Sequence, residues 1–253
     1  MIMRRHAFHA MYDERLAAAT KPFNARGAKV ERCKTCQIAK QYCICEHQPS
    51  PNRDIAVMLL VSDAEILKPS NTGRLILDTV EQGYAFPWHR TEPNPKMLAV
   101  LNDETLQPII IFPEDYVDDK TRVLEMGEQT ESSTILSEGK KPLFIFLDGS
   151  WREARRMFRK SPYLDKFPVC SIKPEAMSNY VMRKSENEDH LATAEVASLV
   201  FEQFGEGKTA NTLALWFAAF RESYMLSKTR FSSDLTRPEL NNFIALIKNE
   251  TLL

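Results

Sequence analysis

The sequence FIFLDGSWREARRMFRK (residues 144–160) indicates a buried strand that ends in a sharp turn and continues into a helix. The apolar run stops at Asp148, and Gly149 allows the turn. Ser150 is a favourable N-cap, and Glu153 stands three residues later, at the capping-box spacing that satisfies free amides at a helix start. We therefore predict strand, turn and helix, in that order.

The predicted helix has two unlike faces. One is apolar and suits a protein core, and it carries Trp151, Ala154, Met157 and Phe158. The other is basic, and it carries Arg152, Arg156, Arg159 and Lys160. Ligands of α/β proteins bind beyond the carboxyl ends of strands, and helix N-termini favour anions, so Asp148 and the turn after it form a candidate site. A capped surface helix with solvated arginines is the alternative.

Composition restricts the class of protein. The chain has 253 residues, 43% hydrophobic and 26% charged, which suits a globular fold. No apolar run approaches the roughly 20 residues of a membrane helix, and the N-terminus lacks the apolar segment of a signal peptide, so we expect a cytoplasmic protein without a membrane partner. With a net charge of −1, a nucleic-acid partner would have to meet a local basic patch.

Four of the five cysteines lie within thirteen positions, and they are Cys33, Cys36, Cys43 and Cys45. Without an export signal the thiols stay reduced, so this spacing favours a structural zinc site over disulfides. His47 in place of one thiolate, or an iron–sulfur cluster, are the alternatives. Cys170 lies in an apolar run and is predicted to be a core residue.

The chain divides into three predicted segments: a basic N-terminal arm (residues 1–30), a four-cysteine zinc-binding module (31–50) and a main domain (51–253). The arm is either solvated or in contact with RNA. The domain alternates strands and helices before a helical C-terminal part, which predicts an α/β fold with a mostly parallel sheet covered on both faces. Gly73 and Arg74 stand at a predicted helix start, where they could meet a phosphate or carboxylate.

The order of four sequence blocks resembles the DTW-domain family from Cys33 to about Ser198. The blocks are RCxxC with CxC (residues 32–45), PSNTGRL (69–75), DGSW followed by EARRM (148–157), and YVMR with LATAE (180–183 and 191–195). One departure concerns the block before PSNTGRL, where many relatives have a histidine and this chain has Ser62 or Asp63. A mechanism that needs a histidine at that position is therefore not expected.

The resemblance implies a tRNA-uridine aminocarboxypropyltransferase. Such an enzyme moves the aminocarboxypropyl group of S-adenosylmethionine to N3 of a uridine in the tRNA variable loop and leaves methylthioadenosine. The implied fold is SPOUT-like, with a C-terminal knot that no periodicity could predict, because threaded connections are rare. Many SPOUT proteins dimerise, but the zinc module and the C-terminal helices are compatible with a monomer.

The resemblance also assigns site residues. Asp148 either takes the N3 proton or holds the reactants, with a turn-forming Asp as the structural alternative. The implied cofactor contacts are Ser150, Trp151, Leu191, Ala192, Thr193 and Glu195. Capping explains Ser150, Thr193 and Glu195 equally well, and core packing explains Trp151. The candidate contacts with tRNA phosphates or with the cofactor carboxylate are Arg74, Arg152, Arg155, Arg156, Arg159 and Arg183, although any one of them is more often solvated surface.

Two other functions stay open. An S-adenosylmethionine-dependent tRNA methyltransferase would use the same pocket and present another carbon of the cofactor. A non-catalytic zinc-containing RNA-binding protein would not need Asp148 or Thr193. The histidines of the chain do not form a hydrolase triad with a Ser or Cys nucleophile.

Overall fold

The computed structural model describes residues 3–20, 30–124, 139–171, 191–228 and 234–250. The strands are β1 (Asn52–Val61), β2 (Val80–Pro87), β3 (Leu106–Ile111), β4 (Lys141–Asp148) and β5 (Val169–Cys170). The helices are α1 (Ala7–Ala17), α2 (Asp63–Ile66), α3 (Gly73–Asp78), α4 (Pro95–Leu101), α5 (Trp151–Arg159), α6 (Thr193–Gln203), α7 (Gly207–Met225) and α8 (Pro238–Glu250).

The strands form one five-stranded sheet in the order β2-β1-β4-β3-β5, and all neighbouring strands are parallel. This confirms the predicted α/β class and parallel sheet. Val61 at the end of β1 is level with Pro87 of β2 and with Asp148 of β4. Three carboxyl ends therefore meet at one edge of the sheet, where α/β proteins place their ligands.

Alternate residues of the central strands enter two separate cores, because side chains alternate between the faces of a strand. Val57, Phe144 and Phe146 pack with α1, α3, α6, α7 and α8, on what we call the polar face because of the charged groups described below. Met58 and Ile145 pack with α4 and α5, on what we call the aromatic face. The sheet is thus covered on both sides, as the continuous apolar strands predict.

The segment before the sheet is packed against the polar face. Phe8 and Met11 of α1 are buried, and the Arg4 guanidinium donates hydrogen bonds to the carbonyls of Leu77 (3.0 Å) and Asp78 (2.9 Å). The alternative of a solvated arm is therefore wrong for residues 3–12, whereas most of residues 13–20 are exposed. Residues of α1 and of the cysteine segment share one core with the sheet.

Strand β5 is shorter than the predicted span of residues 167–172, because Phe167 still belongs to a turn and donates its amide to the Leu164 carbonyl at 3.1 Å. The chain from β5 to α6 includes residues 172–190, which lie outside the described residues. The SPOUT-like knot therefore stays a prediction. Among the described residues, no helix combines the length and apolar character needed to cross a membrane.

Candidate functional site

Asp148 ends β4 with its side chain fully buried on the polar face. Asn71 donates its side-chain amide to Asp148 Oδ2 at 2.5 Å, and the Thr193 hydroxyl donates to Oδ1 at 2.8 Å. The Asp148 carbonyl also accepts the Ser62 amide at 2.9 Å. A buried carboxylate is costly without such donors, so the structure holds Asp148 in a fixed position between β1, α3 and α6.

The loop before α3 is shaped around this carboxylate. A Cβ atom at Gly73 would lie 2.8 Å from Asp148 Oδ2, so only glycine leaves room there. The side-chain oxygen of Asn71, Oδ1, accepts a hydrogen bond from the backbone N–H of Arg74 at 3.1 Å. This bond orients the side-chain NH₂ group of Asn71 toward Asp148. We expected a phosphate or carboxylate of a ligand near Gly73 and Arg74. The structure instead places the carboxylate of Asp148 next to Gly73.

Thr193 and Glu195 differ in their roles at the start of α6. Ala192 is the N-cap residue, and its backbone N–H donates to Glu195 Oε2 at 2.8 Å. The Thr193 hydroxyl bonds to Asp148 instead of capping the helix, so the alternative of Thr193 as an ordinary N-cap is wrong. Leu191 and Ala192 precede the helix with extended or irregular backbone.

Ser150 forms the predicted capping box with Glu153. The Ser150 hydroxyl and backbone N–H donate to Glu153 Oε2 at 2.6 and 2.9 Å, and Ser150 Oγ accepts the Glu153 amide at 3.4 Å. Burial opposes ionisation of Glu153, but the hydrogen bonds from Ser150, together with Ser62 and the charge of Lys68, outweigh it and hold the pKa of the carboxyl below its ordinary value. Capping therefore accounts for the Ser150 side chain.

Trp151 packs on the aromatic face, on the other side of the sheet from the Asp148 side chain. Its ring stacks on Phe112 at a centroid distance of 5.6 Å and meets the edge of Tyr116 at 5.2 Å. The Arg155 guanidinium lies over both Trp151 (5.7 Å) and Tyr116 (5.8 Å). Packing thus accounts for the Trp151 ring.

The outer face of α5 is basic, as predicted. Arg152, Arg156 and Arg159 are exposed. The Arg156 guanidinium lies 5.5 Å from the ring centroid of Trp88, so this face combines positive charge with aromatic rings. Arg183 lies outside the described residues.

The prediction that Arg74 contacts tRNA at the surface is wrong. Arg74 is buried, and its guanidinium donates to the carbonyls of Cys36 (2.5 Å) and Pro69 (2.9 Å). Burial lowers the pKa of its guanidinium, although the pKa of an arginine starts so high that the group stays charged. The prediction failed because an arginine at a helix start is usually solvated. In this fold, the cysteine segment and α7 cover the Arg74 side chain.

The four predicted thiols converge, with all their sulfur atoms within 4.8 Å of one another. Cys33 Sγ lies 3.6 Å from Cys45 Sγ, and Cys36 Sγ lies 3.7 Å from Cys43 Sγ. Tetrahedral zinc with Zn–S bonds of about 2.3 Å requires sulfur–sulfur distances of about 3.8 Å. The cluster therefore fits a single zinc ion, which would be held by Cys33, Cys36, Cys43 and Cys45.

The four thiols share their protons unequally. Hydrogen bonds among them lower the pKa of Cys33 and Cys45, while hydrogen bonds and burial raise the pKa of Cys36 and Cys43. Binding of a metal ion would require all four thiols to lose their protons, so metal binding should weaken as the pH falls. His47 is not part of the group, and its Nε2 lies 3.3 Å from Glu46 Oε1.

One site residue was missed from the sequence, and the role of another was misjudged. Both lie in the strand-to-helix loop PSNTGRL, where Asn71 drew no attention and Gly73 was expected to meet a ligand. The signal was their position: an amide side chain and a glycine beyond the carboxyl end of β1 lie next to the end of a neighbouring parallel strand.

The prediction of Cys170 as a core residue is confirmed, since its side chain is fully buried.

Comparison with known proteins finds a matching family model and a similar protein. The family model described as DTW domain matches residues 30–225. The tRNA-uridine aminocarboxypropyltransferase 2 of Drosophila melanogaster is 20% identical over 176 residues, which cover 66% of this chain and 64% of that relative. The chain thus spans somewhat less than two thirds of the length of this relative. No solved structure matches.

Proposed function

Because the chain belongs to the DTW-domain family, we propose that it transfers the aminocarboxypropyl group of S-adenosylmethionine to N3 of a variable-loop uridine in tRNA, with methylthioadenosine as the second product. One observation carries this proposal: three of the four resembling blocks meet at one carboxylate. Asn71 comes from PSNTGRL, Asp148 from DGSW and Thr193 from LATAE. The name of the fly relative supports the same reaction.

In the proposed reaction, uridine N3 loses its proton to solvent water and forms the new N–C bond, while the C–S bond of the aminocarboxypropyl chain breaks and leaves its electron pair on the sulfur of methylthioadenosine. S-adenosylmethionine would supply the activated carbon beside its sulfonium. The protein must then hold N3 in line with that carbon and keep the methyl group away from it. Orientation of this kind can supply much of the rate enhancement.

Asp148 is proposed to orient the reactants rather than to accept the N3 proton. Hydrogen bonds to an ionised carboxylate favour the charged form and make it a weaker base. Asn71 and Thr193 donate two such bonds. A fixed negative charge at the edge of the sheet instead suits the cationic groups of the cofactor.

The remaining cofactor contacts are proposed at the loops beside Asp148. The proposed set is Ser150, Trp151, Leu191, Ala192, Thr193 and Glu195. The side chains of Ser150 and Glu195 already take part in capping. We therefore expect Ser150, Leu191, Ala192 and Glu195 to contribute through their backbone groups rather than their side chains.

The basic face of α5 is the proposed tRNA surface, with Arg152, Arg155, Arg156 and Arg159 as the proposed contacts. Exposed guanidinium groups bind phosphates, and the neighbouring rings of Trp88 and Tyr116 could stack on unpaired bases. Arg183 stays a proposed contact, and zinc is proposed to hold the cysteine segment in place.

The proposed function is tested by mass spectrometry of tRNA nucleosides from cells that lack the protein. We expect the aminocarboxypropyl uridine to disappear and to return when the wild-type gene is restored. Restoration with Asp148→Asn, at equal protein level, should leave it absent. An unchanged nucleoside profile, or loss of a methylated nucleoside instead, would overturn the proposal.

A further inference from the structure

Arg74 connects two parts of the molecule that are separate in sequence. Its guanidinium donates to the Cys36 carbonyl in the cysteine segment at 2.5 Å and to the Pro69 carbonyl in the loop before α3 at 2.9 Å. The guanidinium carbon also lies 5.1 Å from the ring centroid of Phe220 in α7. Arg74 is only 3% exposed, so these contacts are shielded from water.

The charge of Arg74 fits the neighbouring metal site. A buried cation is costly unless negative charge lies nearby. The guanidinium donates to main-chain carbonyls, and the carboxylate of Asp78, which also acts on its charge, is already bonded to His6, Gln48 and Trp216. Four thiolates around one divalent ion carry a net charge of about −2. The zinc-loaded cysteine cluster is therefore a suitable source of negative charge for Arg74. Cys36 links the two, because its thiol belongs to the cluster and its carbonyl accepts a hydrogen bond from the Arg74 guanidinium.

From Arg74 the contacts continue to the candidate site. The Arg74 backbone N–H donates to Asn71 Oδ1 at 3.1 Å, and Asn71 Nδ2 donates to Asp148 Oδ2 at 2.5 Å. An unbroken series of hydrogen bonds and covalent bonds thus leads from the Cys36 carbonyl to the Asp148 carboxylate. Each member is buried, which makes such bonds stronger and their loss more costly.

We propose that Arg74 is a positioning residue through which the metal-loaded cysteine cluster fixes the loop of residues 69–74, so that Asn71 holds Asp148 in place. Zinc then has a second effect besides folding its own segment: it orders the site on the polar face. The inference rests on the proposed function only for the importance of Asp148. The coupling itself is a property of the chain and needs no substrate.

Hydrogen exchange of the wild-type protein, with zinc bound and after removal by a chelator, tests the coupling first. The amides of Asn71, Arg74 and Leu75 are hydrogen-bonded within the loop and report on it. We expect at least about tenfold faster exchange there after zinc removal. Helix α4, on the aromatic face, should keep its protection. Unchanged exchange in the loop, or equal loss of protection in α4, would overturn the coupling.

Substitutions then test Arg74 itself. Arg74→Met keeps an apolar stem and removes the charge and both hydrogen bonds, whereas Arg74→Lys keeps the charge. The matched control is Arg53→Met, which removes an exposed arginine paired with Glu81 at 2.7 Å. We expect Arg74→Met to bind one zinc ion with about tenfold lower affinity and to exchange loop amides fast even with zinc bound, with Arg74→Lys intermediate.

Kinetics separate positioning from general stability. In Arg74→Lys, kcat should fall while KM for tRNA stays near the wild-type value, because Arg74 lies away from the surface. If Arg74→Met does not fold, the exchange and zinc affinity of Arg74→Lys decide. Wild-type loop exchange and wild-type zinc affinity in the variant that folds would contradict the proposal. Zinc affinity and exchange remain valid readouts even if the chain proves not to transfer aminocarboxypropyl groups.

Discussion

The two faces of the sheet bury different kinds of residue. On the polar face, Asp148, Arg74 and Asp78 are buried with hydrogen-bond partners from distant parts of the chain. On the aromatic face, Phe112 stacks on Phe158 at a centroid distance of 4.4 Å. The charged groups of α5 remain on its outer side.

This difference matters because polar and apolar cores fail in different ways. Removal of one partner from a buried hydrogen-bonded network leaves the other unsatisfied, at a cost of about 1–3 kcal/mol. An apolar core instead loses stability in proportion to the volume removed. The polar face can therefore fix a few side chains in one geometry, as a site requires, while the aromatic face supports a binding surface with several equivalent arginines.

The largest expected effect is at Asp148. Asp148→Asn removes the negative charge but preserves the shape, and we expect transfer to fall by about 10²–10³-fold, the range for loss of one preorganised electrostatic contact. Affinity for tRNA and the unfolding midpoint should change little by comparison. The matched control is Asp118→Asn, at an exposed position. Near-normal turnover of Asp148→Asn would remove Asp148 from the mechanism.

The next effect concerns the space around that carboxylate. Gly73→Ala would place a Cβ atom 2.8 Å from Asp148 Oδ2, and we expect a loss of about 1–3 kcal/mol in unfolding free energy together with a loss of transfer. Gly207→Ala is the control, because its Cβ would meet only the flexible carboxylate of Glu202 at 3.3 Å. Urea unfolding measures the stability of both variants, and a transfer assay measures their activity. Equal stability of the two variants would show that the loop yields easily.

The polar face should also make stability depend on pH. Burial, and next the neighbouring His6, lower the pKa of His9 to about 3. The unfolded chain binds a proton below about pH 6.5 and the folded chain does not, so stability should fall as the pH drops from 6.5 toward 3, by at most about 1.4 kcal/mol per pH unit. Asp78, whose pKa is lowered by contacts with His6 and Trp216 despite burial, acts in the same direction.

His9→Asn keeps a side-chain acceptor for the His6 amide and should reduce this slope, as measured by urea unfolding at pH 7 and pH 5. His89→Asn, at an exposed position, is the matched control and should retain the wild-type slope. If His9→Asn kept the full slope, the acid sensitivity would have to come from other groups.

Substitution of Ser150 tests whether its side chain only caps α5 or also contacts the cofactor. Because its side chain caps α5, Ser150→Ala should cost about 1 kcal/mol of unfolding free energy. KM for S-adenosylmethionine should then change less than about twofold at a temperature where the variant is folded. Ser150→Thr keeps the hydroxyl and is the control. A large rise in KM for S-adenosylmethionine without a loss of stability would show that the Ser150 hydroxyl itself contacts the cofactor.

The smallest effect is expected on the aromatic face. Arg156→Gln removes one exposed charge of the proposed tRNA surface, and tRNA affinity should fall only a few fold, because neighbouring arginines remain. The dependence of affinity on salt should weaken by about one phosphate contact. Arg53→Gln, an exposed arginine of β1, is the control. An unchanged salt dependence for Arg156→Gln would place the tRNA elsewhere.

Much of the aromatic face could be predicted from the sequence, because its information is local. The spacing of Ala154, Met157 and Phe158 predicted the buried side of α5, and Ser150 with Glu153 predicted its start. The cysteine cluster was predictable for the same reason. The polar face was not, since the contacts of Asn71, Arg74 and Thr193 join residues far apart in the chain. No periodicity carries that information.

The central claim is that the carboxylate on the polar face serves aminocarboxypropyl transfer to tRNA. It is tested most directly by incubating purified protein and unmodified tRNA with S-adenosylmethionine labelled either in the aminocarboxypropyl chain or in the methyl group. We expect tRNA to gain only the chain label with wild-type protein, and neither label with Asp148→Asn. Transfer of the methyl label, or no transfer by folded, zinc-loaded wild-type protein to any tRNA, would contradict the account.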